Sequence, residues 1–84
     1  MGELSKLPNI GEAVEEQLNE VGISTYEELK KVGAKEVWLR IKEIDDSACI
    51  HRLYALEGAI EGIKKNQLPE ETKSELKDFY NKHK

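Results

Sequence analysis

Cys49 and His51 carry the side chains best suited to chemistry, a thiol and an imidazole two positions apart. On a helix that spacing points the two groups in different directions, and the chain has no second cysteine, so no metal site is predicted. A nucleophile–base pair would need a further partner that the sequence does not offer. Cys49 also falls on an apolar stripe, and we predict that it is an inert core residue.

Acidic side chains offer no better basis for catalysis. The 84 residues include 17 Asp and Glu, but most are predicted to lie on helix exteriors, where paired-carboxylate catalysis has no support. We therefore expect no enzymatic activity and no cofactor. A small-molecule or catalytic role is the least favoured hypothesis, because a helical bundle of this length with a filled core leaves little room for a deep polar pocket.

The loop formed by Asn9, Ile10 and Gly11 is a candidate phosphate site. Its backbone N–H groups precede a predicted helix, and helix N-termini bind anions because those groups are free and the dipole is positive there. Several glutamates, beginning with Glu12, crowd the same end and would repel a phosphate. We favour the interpretation that Asn9 is the N-cap of the helix, with Glu12 completing a capping-box spacing.

A run of basic residues in the middle of the chain is the stronger nucleic-acid candidate. Residues 30–42 carry five bases and one acid, on a chain whose net charge is −4. Contacts to phosphates would release counterions and give a steep salt dependence. The alternative, which we favour, is a solvated face with local ion pairs, for example Lys31 with Glu27 and Lys35 with Glu28. The five candidates are Lys30, Lys31, Lys35, Arg40 and Lys42.

Composition predicts one small helical domain spanning residues 1–84. The hydrophobic fraction is 38% and the charged fraction is 36%, which suits one core and a heavily solvated exterior. The single cysteine excludes a disulfide within the chain and suits a reducing cytoplasm. No signal peptide is evident, and no stretch approaches the ~20 apolar residues of a membrane span. We expect a cytoplasmic protein and favour a monomer, although the sequence does not determine the oligomeric state.

Helical periodicity and helix-stop residues predict five helices. Gly22 and Gly33 are predicted to end the first two, and Thr25 with Glu28 forms a capping-box spacing before the second. The expected ranges are 11–21, 26–32, 34–44, 47–64, and a last helix that opens at Leu68-Pro69.

The helix at about 47–64 is predicted to be central, because both of its sides suit contact with other helices. Its small residues include Gly58 and Gly62, and each costs roughly 1 kcal/mol of helix propensity against Ala, so each needs a packing reason. His51 falls on the same small side and is expected to lie under a neighbouring helix. The opposite, apolar stripe consists of Cys49, Leu53, Leu56, Ile60 and Ile63.

Two apolar residues lie off the main helical stripes and are candidate protein contacts, Leu39 and Tyr54. Exposed apolar side chains indicate a protein partner, but small domains also leave scattered apolar side chains exposed. The sequence favours neither interpretation over the other. Trp38 is expected in the core, so no aromatic platform for single-stranded nucleic acid is predicted. The inward face of the third helix is expected to contain Val37, Ile41 and Ile44.

Several segments carry a resemblance to a known family. Leu7-Pro-Asn-Ile-Gly11, followed by a helix and then Val-Gly-Ile-Ser-Thr-Tyr-Glu-Glu-Leu at 21–29, resembles a helix-hairpin-helix unit. Together with Val-Trp-Leu-Arg-Ile-Lys at 37–42 and Leu-Tyr-Ala-Leu-Glu-Gly-Ala-Ile at 53–60, it resembles the C-terminal domain of the TfoX/Sxy competence-regulator family over roughly residues 5–80. The resemblance implies an all-α, compact bundle of five short helices, helix-hairpin-helix/SAM-like.

For function, the resemblance implies a bacterial regulator. Longer members control competence and DNA-uptake genes with the cyclic-AMP receptor protein, and they carry an additional N-terminal domain. The preferred hypothesis is a non-catalytic module that binds a protein partner in transcription or DNA-uptake control. The alternative is a nucleic-acid-binding helix-hairpin-helix module that contacts phosphates through residues 9–11 and the basic set. No membrane partner is expected.

Overall fold

The computed structural model describes residues 3–83, which form five α-helices and two short 3₁₀ turns in an all-α bundle. The predicted fold class is therefore confirmed. The helices are α1 (Glu12–Glu20), α2 (Tyr26–Val32), α3 (Ala34–Ile44), α4 (Ile50–Glu61) and α5 (Glu70–His83). The 3₁₀ turns span Leu4–Lys6 and Lys65–Gln67 and were not predicted.

The bounds of α2 and α3 are those predicted, because strong local signals set them. The Thr25 hydroxyl accepts a hydrogen bond from the Glu28 backbone N–H at 3.1 Å, and the Glu28 carboxylate accepts one from the Thr25 N–H at 3.1 Å. This capping box begins α2. Gly33 ends α2 and precedes α3 with φ at +92°, a backbone conformation that side-chain-bearing residues rarely adopt.

The central helix is shorter at both ends than predicted. The Asp45 side chain accepts a hydrogen bond from the Ser47 backbone N–H at 3.0 Å. This contact forms a turn that precedes α4, so residues 45–47 lie outside the helix and do not cap it. The N-cap is Cys49, in extended conformation and exposed, so its prediction as inert core was wrong. Gly62 adopts the left-handed conformation and ends α4. An added Cβ atom at Gly62 would meet nothing within 4 Å, so the packing reason predicted for this glycine was wrong.

Trp38 lies at the centre of the core and is fully buried, as predicted. Its indole N–H donates a hydrogen bond to the Cys49 carbonyl oxygen at 3.2 Å, which ties α3 to the start of α4. The rings of Phe79 and Tyr80 meet it edge-on, with centroids 6.1 and 5.5 Å away. Leu53 and Leu56 of α4 are also fully buried, so α4 is the central helix and α3 and α5 both pack on it.

Two further packing predictions were wrong. Ile44 was expected on the inward face of α3 but is 50% exposed, because it is the last residue of α3 and the chain turns away after it. His51 was expected under a neighbouring helix but is exposed. Its ring contacts only the ring of Tyr54 among the described aromatic contacts, at a centroid distance of 6.4 Å.

Candidate functional site

Asn9 joins the first loop to the end of the central helix. Its backbone is left-handed, with φ at +69°. The side-chain amide donates to the carbonyl oxygens of Ile63 at 3.0 Å and Ala55 at 3.4 Å, while its oxygen accepts from the Lys65 N–H at 3.0 Å. The prediction that Asn9 caps α1 was wrong: the N-cap is Gly11, without a side-chain hydrogen bond. We call these contacts the Asn9 clasp.

Gly58 makes room for the Asn9 clasp. A Cβ atom at this position would lie 2.6 Å from the Asn9 amide nitrogen and 2.8 Å from the Ile63 carbonyl oxygen. Both distances are below 3.0 Å, closer than Cβ atoms approach other heavy atoms in proteins, so a side chain at position 58 would displace the clasp. The predicted packing reason for Gly58 is therefore confirmed, and it is the passage of a polar loop side chain under the helix.

The loop at 9–11 presents little free surface to a phosphate. Ile10 is 5% exposed and belongs to the core, and the Asn9 amide is occupied by the clasp. Gly11 is exposed at the start of α1. The carboxyl group of Glu15, in the first turn of α1, accepts a hydrogen bond from the Ser5 backbone N–H at 3.2 Å. The exposed acidic residue Glu12 lies in the same turn and disfavours a phosphate at this end.

The basic set of residues 30–42 is largely occupied within the molecule. The ammonium groups of Lys30, Lys35 and Lys42 lie over the rings of Tyr26, Phe79 and Trp38, at 5.1 to 5.6 Å from their centroids. The Arg40 guanidinium pairs with Glu36 at 3.2 Å. Within residues 3–83, no ion pair joins Lys31 to Glu27 or Lys35 to Glu28, so these two expected pairs are not formed. Lys31 is exposed, and within residues 3–83 its ammonium group has neither an aromatic ring contact nor an ion pair.

Leu39 borders a groove of about 490 Å³ between α3, α4 and α5. Leu39, Leu76 and Phe79 give it an apolar floor, and three carboxylates and one ammonium group surround that floor. We call it the acidic groove. Its charged residues are Lys35, Glu36, Glu57 and Glu75.

Glu57 is the unusual ionisable group of the acidic groove. Partial burial raises the pKa of its carboxyl from 4.5 to about 7, and a hydrogen bond with Glu61 together with that neighbour's charge acts in the same direction. Lys35 opposes the shift, and Glu75 adds a small further rise. A carboxyl with this pKa gains a proton easily near neutral pH and loses it when a cation approaches.

Tyr54 borders a second region, on another face of α5. Two adjoining hollows of about 350 and 230 Å³ meet at Tyr54 and Lys73. Three lysines and one glutamate surround the tyrosine, which gives the region an excess of basic groups. We call it the Tyr54 cleft. Its polar residues are His51, Lys65, Asn66, Glu70, Lys73, Ser74 and Lys77.

Sequence reasoning named Leu39 and Tyr54 as protein contacts and Lys35 as a nucleic-acid contact, although Lys35 lies in the acidic groove. It missed the glutamates of the groove and the lysines of the cleft. Glu57 and Glu61 are four residues apart on a helix, which was an available signal for interacting carboxyls. Lys65 and Lys73 come from different elements, so no local pattern could place them beside Tyr54.

Two further kinds of feature, a metal-binding cluster and a membrane-spanning helix, are absent from the described residues. Residues 3–83 contain no group of three or more His, Cys, Asp or Glu side chains that could hold a metal ion. In the same part of the chain, each helix is too short or too polar to cross a membrane.

Comparisons with known proteins agree on one family. A family model described as the TfoX C-terminal domain matches residues 1–80. Protein Sxy of Escherichia coli strain K12 is 38% identical over 76 residues, which are 90% of this chain and 36% of that protein. The chain thus spans about a third of the length of this curated relative.

Two crystal structures from Listeria monocytogenes share the fold over nearly the whole chain. One, of an uncharacterized protein, is 53% identical with a TM-score of 0.92 and covers 94% of this chain and 90% of its own. The other, of a protein of unknown function, is 51% identical with a TM-score of 0.94 and covers 98% of this chain and all of its own.

Proposed function

Because the chain belongs to the TfoX C-terminal domain family, we propose that it is a non-catalytic module that regulates competence or DNA uptake by binding a protein. The observation that carries this proposal is the acidic groove. It combines an apolar floor with ionised and ionisable carboxylates in a hollow large enough for a few side chains. The predicted cytoplasmic location is part of this proposal.

The chemistry of the groove selects the kind of partner. Glu36 is paired with Arg40, but Glu57 and Glu75 face one ammonium group, Lys35, so the groove keeps an excess of acidic groups and favours a cation. Leu39 and Phe79 would contact apolar side chains next to that cation. The occupant is therefore a protein segment that presents a lysine or arginine beside apolar residues.

Matched charge reversals on α5 test this assignment. Glu75→Lys changes the groove, while Glu71→Lys makes the same change on the same helix outside it; both residues are exposed, so neither variant should unfold. The immobilised domain would capture partners from a lysate of the source cell, and calorimetry with the purified partner would give affinities. We expect Glu75→Lys to weaken binding roughly tenfold or more and Glu71→Lys to leave it unchanged.

A second pair of variants tests the apolar floor. Leu39→Ser removes an apolar contact in the groove, and Ile44→Ser removes an exposed apolar side chain outside it. Only the first should reduce binding. A partner that binds both groove variants as tightly as the natural chain would contradict the proposed site. A domain that captures no protein, while binding DNA firmly at physiological salt, would contradict the proposed function itself.

The alternative function is a nucleic-acid contact through the loop at 9–11 and the basic set. The observation in its favour is Lys31, which is exposed and free of a described ion pair. Charge reversal of Lys31 and Lys35 together should then abolish DNA binding, measured by electrophoretic mobility shift. Unchanged affinity would exclude this surface.

A further inference from the structure

We propose that the Tyr54 cleft is a binding site for single-stranded nucleic acid, with a base stacked on Tyr54 and the neighbouring phosphates held by Lys65, Lys73 and Lys77. This site is separate from the acidic groove, since the two use different residues of α5. It also differs from the loop at 9–11 and the basic set of residues 30–42.

The shape of the cleft suits a base that lies outside a helix. Two hollows of about 350 and 230 Å³ adjoin at Tyr54 and Lys73, so room exists on more than one side of the tyrosine. The ring of His51 stands nearly perpendicular to that of Tyr54, at 78°, and forms a second aromatic wall of the smaller hollow. The Asn66 side chain in that hollow offers donors and an acceptor for a base edge.

Tyr54 is held ready for stacking. Its ring is half-buried and packs against the hydrophobic core, so little side-chain entropy remains to be lost on binding. Aromatic rings of this kind bind bases without sequence preference, because every base has a π face. The ring therefore supplies the contact that distinguishes a nucleic acid from a simple anion.

The three lysines are free to contact phosphates. None of Lys65, Lys73 and Lys77 forms an ion pair within residues 3–83, even though Glu70 lies in the same cleft. In contrast, four of the five members of the basic set of residues 30–42 already contact a ring or a carboxylate. Three lysines without an ion pair within residues 3–83 thus meet at the cleft, where their charge exceeds that of Glu70 by two units.

A single strand fits better than a duplex. In a duplex the bases are stacked on one another, and a ring in a shallow cleft cannot reach their faces. In a single strand the bases can turn outward and stack on aromatic side chains while basic residues follow the backbone. Lys73 and Lys77 are four residues apart on α5 and so lie on one line along the helix, next to the ring.

Fluorescence anisotropy of a labelled oligothymidylate, titrated with the whole chain, tests the proposal. We expect a dissociation constant on the order of 10⁻⁵ M at about 50 mM salt. The slope of log affinity against log salt should be about −2, because each of three phosphate contacts on a single strand contributes roughly −0.7.

Substitutions at two positions separate stacking from charge. Tyr54→Leu keeps an apolar side chain without a ring and should weaken binding about tenfold, while Tyr54→Phe should bind as the natural chain does. Lys77→Gln should make the salt slope shallower by about 0.7. Lys6→Gln is the matched control, because it removes an exposed charge that belongs to neither basic surface, and it should change neither affinity nor slope. Lys31→Gln reports on the other basic surface. Thermal melting followed by circular dichroism checks that every variant is folded.

Four results would overturn the proposal. Tyr54→Leu could bind as tightly as the natural chain, which would exclude stacking. Lys31→Gln could weaken binding as much as Lys77→Gln, which would place the contact on the other basic surface. A duplex of the same length could bind as tightly as the single strand. Phosphatidylglycerol vesicles could bind while the oligothymidylate does not, which would assign the cleft to a lipid surface.

Discussion

The acidic groove and the Tyr54 cleft lie on different faces of the same helix and carry opposite charge. On α5, Glu75 and Phe79 border the groove, whereas Lys73 and Lys77 border the cleft. Residues 64–84 carry six bases and four acids, a nearly balanced mixture along the sequence. Helical geometry separates this mixture into two surfaces, because residues three or four apart share a face. Net charge therefore says little about the ligands of either region.

The two regions also depend on different parts of the fold. The groove is built where α3, α4 and α5 meet around the core residue Leu76. The cleft includes Lys65 and Asn66 from a 3₁₀ turn that the Asn9 clasp holds against the end of α4. Changes to the Asn9 clasp should thus affect the Tyr54 cleft, and changes to the partly buried carboxyl of Glu57 should affect the acidic groove.

The largest expected effect on stability is that of Gly58→Ala. The new methyl group would lie 2.6 Å from the Asn9 amide nitrogen, so the clasp must move and its hydrogen bonds weaken. We expect a loss of about 2 kcal/mol in the free energy of unfolding, measured by urea denaturation. Amide NMR shifts should spread to Lys65 and Asn66 at the cleft and leave Leu39 in the groove unchanged.

Gly11→Ala is the matched control for this change. A Cβ atom there meets nothing within 4 Å, and the backbone φ of −100° suits alanine. Its stability should stay within about 0.5 kcal/mol of the natural chain. Equal losses from the two alanine variants would show that the clasp does not determine the packing at Gly58.

The next effect concerns Glu57→Gln in the acidic groove. The folded-state pKa of Glu57 is raised from 4.5 to about 7, so the folded chain holds this proton more tightly than the unfolded chain does. The resulting stabilisation is complete below pH 4.5 and is lost as the pH rises through 7. Glutamine stays neutral, so the variant should be more stable at pH 8 by on the order of 1 kcal/mol, after allowance for screening by solvent.

The pH dependence distinguishes this cause from a simple change of shape. Urea denaturation at pH 4 and pH 8 should give a stability difference between Glu57→Gln and the natural chain only at the higher value. Lys35, Glu61 and Glu75 face the same carboxyl and remain in both proteins. An equal difference in the free energy of unfolding at pH 4 and pH 8 would show that ionisation of Glu57 does not destabilise the folded chain.

The smallest effects are expected from the exposed charges that distinguish the two regions. Lys77→Gln in the cleft and Glu75→Lys in the groove should each alter the free energy of unfolding by less than about 0.5 kcal/mol. Both side chains are exposed and neither forms an ion pair within the described residues. A larger loss in urea denaturation would mean that these charges maintain the fold, and binding data on the variants would need that correction.

Local signals predicted the helices well and their ends less well. The capping box at Thr25 and the glycine at position 33 set the bounds of α2 and α3, because each acts through hydrogen bonds or backbone angles within a few residues. Cys49 was placed inside a helix because its spacing from Leu53 fits an apolar stripe. The Asp45–Ser47 turn competes for the same residues and delays the helix. Periodicity alone could not decide between the two.

The sequence by itself determined the helical class, the central position of α4 and the need for a close approach at Gly58. These follow from periodicity, capping and the cost of glycine in a helix, which are local properties. Only the tertiary structure decided that Asn9 fills the space at Gly58, that Glu57 is partly buried, and that Lys65, Lys73 and Tyr54 share a cleft. Such groupings depend on how separate helices are oriented about the core, and no spacing along one element contains that information.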